Sequence, residues 1–133
     1  MIPCRYVEVH DNLGTIVGAG IDTIWVPELP QVVQILMAVR LTATADELTP
    51  DHAHAGRNVV RDPDGQVISE VGGELRVGMD NARQEWLNGL VLPTAVQFEV
   101  DREGAYTVEH HIDEASSSVP IHIIQAAAPT TEE

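Results

Sequence analysis

Lysine is absent from this chain, cysteine occurs once, and aromatic residues are few. All seven basic residues are arginine, against 21 acidic ones, and the formal net charge is -14. Such a chain repels phosphate backbones, whose contacts supply most non-specific nucleic-acid affinity. It also repels anionic lipid surfaces. Neither nucleic acid nor membrane is therefore expected as a partner. The acid excess reads most simply as solubility, and the missing lysine as genome composition. A lone Cys4 cannot form an intramolecular disulfide, so nothing calls for an oxidising compartment. The opening Met1-Ile2-Pro3-Cys4-Arg5 has no basic region followed by an apolar stretch, unlike a secretory signal. No apolar run approaches the roughly 18 residues that cross a bilayer. A cytoplasmic protein is the expectation.

What is present is β-branched sequence punctuated by turns. A length of 133 residues suits one domain. We expect it over residues 1–125, with a flexible acidic tail at 126–133. The aromatic set is Trp25, Trp86, Tyr6, Tyr106 and Phe98, so valine, isoleucine, leucine and alanine must fill the core. Residues 4–10 read as a first strand and 15–25 as a second, interrupted by glycines that suggest a bulge. Pro27 and Pro30 end it, because proline cannot donate to a ladder. Residues 32–41 alternate most cleanly, with Val33, Ile35, Met37, Val39 and Leu41 on one face.

Asp62-Pro63-Asp64-Gly65 is a strong turn signal, placing a hairpin between residues 54–61 and 66–77. Residues 84–92 read as a strand, or for one turn a helix, broken by Pro93. Further strands are expected around 96–100, 106–112 and 119–125, with a loop at 113–118. The pattern predicts an all-β antiparallel sandwich of about eight strands, immunoglobulin-like in kind.

A sequence of short motifs also carries a resemblance. Gly20-Ile21-Asp22-Thr23-Ile24-Trp25-Val26-Pro27, Arg40-Leu41, the turn at Asp62 to Gly65, Asn88-Gly89-Leu90 and Gly104-Ala105-Tyr106 occur in this order. In that order the chain resembles a family of small uncharacterised bacterial proteins known only as a domain of unknown function. The resemblance spans roughly residues 4–125 and implies an immunoglobulin-like sandwich but no activity. Gly56, Arg57 and Asn58 depart from it, where apolar alternation belongs. Tyr106 after Gly104 fits a tyrosine corner, in which the phenol bonds back to nearby backbone.

Candidate chemistry is sparse. His52 and His54 are two residues apart and would share a strand face, an arrangement that can suit a metal. His110, His111 and His122 lie in the last two strands and could meet if those strands pair. Surface histidines are the plainer reading of all five, and no metal or other cofactor is expected. Glu28, Glu99 and Glu109 lie in or beside strands, yet nothing marks a buried acid pair of the glycosidase kind. Cys4 reads as a small buried thiol. Ser116-Ser117-Ser118 lacks a nucleophile elbow, and Gly18-Ala19-Gly20 lacks the following helix of a dinucleotide site. No catalytic residues are assigned, and an enzyme is not expected. Trp25 beside Pro27 reads as a cap on the core, and Trp86 is balanced between core and surface. Either, if exposed, is an interface candidate. The residues thus predict a non-catalytic module that binds another protein or its own copy. The alternative is a small-ligand or metal-binding protein using histidine and aspartate.

Overall fold

A computed structural model of the chain describes residues 1–10, 13–79 and 82–126. Among the described residues there are ten strands: β1 (Ile2–Cys4), β2 (Tyr6–His10), β3 (Leu13–Val17), β4 (Thr23–Val26), β5 (Gln31–Ala43), β6 (Ala53–Arg61), β7 (Val67–Arg76), β8 (Asn88–Val100), β9 (Gly104–Ile112) and β10 (Ala115–Gln125). One 3-10 turn, Asp46–Leu48, follows β5. The expected all-β class holds, with more strands than the eight or so read from sequence. The excess arises early in the chain. The first expected strand divides at Arg5 into β1 and β2, and the second divides at Gly18 and Gly20, both at positive φ, into β3 and β4.

The strands form a three-stranded sheet, β1-β5-β8, a five-stranded sheet, β4-β10-β9-β6-β7, and a separate β2-β3 hairpin. Pairing is antiparallel except for β4, which runs parallel to β10, so the five-stranded sheet is mixed. The period-two pattern of β5 decides which face is buried. Val33, Ile35, Met37 and Val39 enter the core with Val96, Phe98 and Val100 of β8. Val26, Val60, Tyr106, Val108, Ile121 and Ile123 enter the same core from the five-stranded sheet. Phe98 and Tyr106 meet between the sheets with ring centroids 6.0 Å apart. The β2-β3 hairpin packs on β5 and β8.

Pro93 does not end a strand. It lies inside β8 opposite Ala38, and β8 is an edge strand, where a missing N–H on the open side costs nothing. The expected loop at 113–118 is only the turn at Asp113 and Glu114, since β10 begins at Ala115. Most of the expected tail, 127–133, lies outside the described residues.

Two hairpin turns lock together at one end. Asp62 Oδ1 accepts from the Asp64 and Gln66 backbone N–H groups, both at 2.9 Å. Arg102 then bridges Asp62, Asp64 and Asp101. Gly104 sits at φ 141°, and an added Cβ would lie 2.7 Å from Pro63, so this position requires glycine. The tyrosine corner is present: Tyr106 Oη donates to the Arg102 carbonyl at 2.9 Å. Tyr106→Phe is expected to keep the ring packing and cost about 1–2 kcal/mol, read as a lower urea midpoint with an unchanged slope.

Candidate functional site

His54 builds the most specific polar arrangement. It enters from the start of β6 and is buried. Its Nδ1 donates to Asp113 Oδ2 at 2.7 Å, and its Nε2 donates to the Glu47 carbonyl at 2.7 Å. Both ring nitrogens face acceptors, an arrangement that favours the doubly protonated ring. The Asp113 bond, and then the Glu47 bond, raise the His54 pKa above its ordinary value. The same His54 bond, with the Ala55 N–H, lowers that of Asp113. Asp113 holds φ 51°, a conformation that aspartate tolerates better than most residues. There its Oδ1 accepts from the Ala55 N–H at 2.9 Å, while its own N–H donates to the Ala55 carbonyl at 2.8 Å. Glu47 in turn accepts from the N–H and hydroxyl of Thr44. The arrangement ties the 3-10 turn, β6 and the β9-β10 turn into one corner.

This corner bears on the metal expectation. His52 and His54 do come together, with ring centroids 4.6 Å apart. His52 is exposed, and both ring nitrogens of His54 are engaged by Asp113 and the Glu47 carbonyl. Among the described residues no cluster of three His, Cys, Asp or Glu side chains has metal-holding geometry.

The other candidates separate. β9 and β10 pair, but the register sets Ser117 against His110 and Ser116 against His111, while His122 lies opposite Ala105. His110 Nδ1 meets Asn58 Oδ1 at 2.6 Å, and its buried Nε2 has no hydrogen-bond partner. Burial, and then the neighbouring His111, push the His110 pKa down. Glu109 is held ionised by Arg61 and His111, whose pull outweighs its burial. Glu28 and Glu99 are exposed. Cys4 is buried, its thiol pKa raised by that burial, and lies 3.6 Å from the Leu36 carbonyl.

Both tryptophans lie on the surface, Trp25 at 64% exposure and Trp86 at 61%. For Trp25 this corrects the core-cap expectation. β4 pairs with β10 so that Trp25 stands opposite Ile124 and Val26 opposite Gln125. Alternation then turns Val26 into the core and Trp25 outward. Trp86 lies in the segment before β8 that Asn88 pins. The Asn88 side chain accepts from the Arg83 N–H and donates to the Arg83 and Trp86 carbonyls.

Sequence reading missed the exposed outer edge of β7. This strand closes the five-stranded sheet and, among the described residues, pairs only with β6. The sheet opposite has only three strands, and Val71 of β7 remains 68% exposed, with Val67 and Ile68 also exposed. Which strand lies at the edge depends on pairing between distant segments, and no local pattern in β7 records it.

These features define an all-β protein whose two sheets share one core and leave open strand edges. The chain belongs to a family of unknown function (DUF6941), which matches residues 1–124. No curated protein and no solved structure matches it. No helix among the described residues is long and apolar enough to cross a membrane.

Proposed function

We propose that this protein is a non-catalytic interaction module that binds another protein by strand addition at β7. The observation that carries the reading is the ten-residue outer edge of β7, with Val67, Ile68 and Val71 exposed along it. An unpaired edge presents alternating N–H and C=O groups, and exposed apolar side chains there add specificity. An immunoglobulin-like sandwich is the architecture we infer. It is supported by the tyrosine corner at Tyr106 and by a core drawn from both sheets. Trp25 and Trp86 are the aromatic candidates for further contact. Strong negative charge favours a protein partner over nucleic acid or an anionic membrane. A single buried thiol suits the reducing cytoplasm.

The test is affinity capture from native lysate with wild-type protein and with Val71→Lys, each with and without EDTA. The expected result is a stoichiometric partner that survives EDTA and falls at least about tenfold in the variant. Equal capture by both proteins, or no partner, overturns the reading. A second reading, a small-ligand site, rests on a cavity of about 610 Å³ beside His54, within the size range of ligand pockets.

A further inference from the structure

At one end of the two sheets the packed core gives way to open space. Leu41 and Ala43 continue the inner face of β5 beyond Val39. In the other sheet, the inner face that Val60 and Val108 occupy runs on to His54 in β6 and Ile112 in β9. Register sets Leu75 of β7 beside His54 and Ala115 of β10 beside Ile112. These residues of both inner faces line the cavity of about 610 Å³, so it lies between the sheets. Protein interiors otherwise leave few voids larger than a water molecule. Small side chains help to keep this space open, Ala43 on one wall and Ala115 on the other.

The polar groups around the space are engaged or solvated. His54 meets Asp113 and the Glu47 carbonyl through its two ring nitrogens. The second Asp113 oxygen accepts from the Ala55 N–H. A Glu47 carboxylate oxygen accepts from the N–H and hydroxyl of Thr44. Arg40 alternates to the outer face of β5, where its Nη2 lies 2.8 Å from the place of a Cβ on Gly89. Glu114 is exposed, and a surface ion pair there would add little. A charged group entering the space would lose its water without gaining a buried partner, which is costly. An uncharged apolar molecule has no such cost, and its removal from water is favourable.

We propose that this cavity binds a small, uncharged, apolar ligand between the two sheets. The inference rests on the small-ligand reading and deepens it, and the site is separate from the β7 edge. Leu41, Leu48, Leu75, Val77 and Ile112 supply the contact surface. Glu47, His54 and Asp113 line the same space, and their bonds fix the wall that the ligand meets.

The experiment titrates the full chain with Nile red, an uncharged apolar dye, and follows its fluorescence. Octanol, octylamine and octanoate then compete with the dye, since they share a chain length and differ in head-group charge. The account expects saturable dye binding, displaced by octanol at a concentration at least about tenfold lower than either charged homologue requires. Ala43→Leu and Ala115→Leu fill the space from opposite walls. Each should weaken the dye about three- to tenfold while the urea midpoint stays near that of the wild type. Val71→Lys should leave the dye unchanged. Amide hydrogen exchange locates the site without a variant: bound octanol should slow exchange at residues 41–43 and 112–115. The absence of dye binding overturns both this inference and the small-ligand reading. Displacement by octylamine or octanoate as readily as by octanol overturns the uncharged class and leaves the small-ligand reading standing. Dye binding that both alanine variants leave unchanged, or slowed exchange confined to β7, puts the ligand elsewhere and overturns the inference.

Discussion

Ile121→Ala is expected to remove much of the stability of the protein. Ile121 is fully buried in β10, beside Tyr106 in register and within the core that both sheets share. Truncating a buried isoleucine costs about 2–5 kcal/mol, from lost transfer energy and the cavity left behind. A domain of this size has about 5–15 kcal/mol in total. Urea unfolding should show a much lower midpoint with an unchanged slope. Ile124→Ala, three residues on and only half-buried, should cost clearly less. Equal losses would contradict the assignment of the two faces of β10.

The second large effect is pH-dependent and belongs to the His54 corner. Because the folded pKa of His54 is raised, its contribution is complete below its ordinary pKa of about 6.5 and is lost as pH rises through the folded value. Because the folded pKa of Asp113 is lowered, its contribution is present above its ordinary pKa of about 3.9 and is lost as pH falls through the folded value. The corner therefore stabilises most between about pH 4 and 6.5. His54→Ala should cost about 1–2 kcal/mol in that window. That is the lower part of the range for bonds to charged groups, since Asp113 is partly exposed. The deficit should shrink as pH rises past the ordinary value of about 6.5 and through the raised folded value of His54. Urea midpoints measured from pH 4 to 9 for both proteins check this. A deficit that does not change with pH would show that His54 acts by packing alone.

The elements legible in the sequence are those whose information is local. Alternation in β5 gave its buried face because period two is a property of the strand itself. The Asp62 to Gly65 turn gave the β6-β7 hairpin because Pro63 and Gly65 fix backbone angles directly. Tyr106 could be placed in a corner from Gly104 two residues before it. What stayed hidden depends on pairing between distant segments. Pro93 looked like a break because its tolerance depends on β8 being an edge strand. Trp25 looked like a core residue because only its pairing with β10 decides which way β4 faces. Asp113 looked like an ordinary loop residue because its partner His54 is 59 positions away.

Strand addition at β7 is the central claim, and amide hydrogen exchange across Val67–Arg76 tests it most directly, in the free protein and in its captured complex. The account predicts fast exchange in the free protein at the outward-facing amides of β7. In the complex, those alternate amides should slow by at least about tenfold while the core strands hardly change. Exchange in β7 that is equally fast with and without the partner would contradict it.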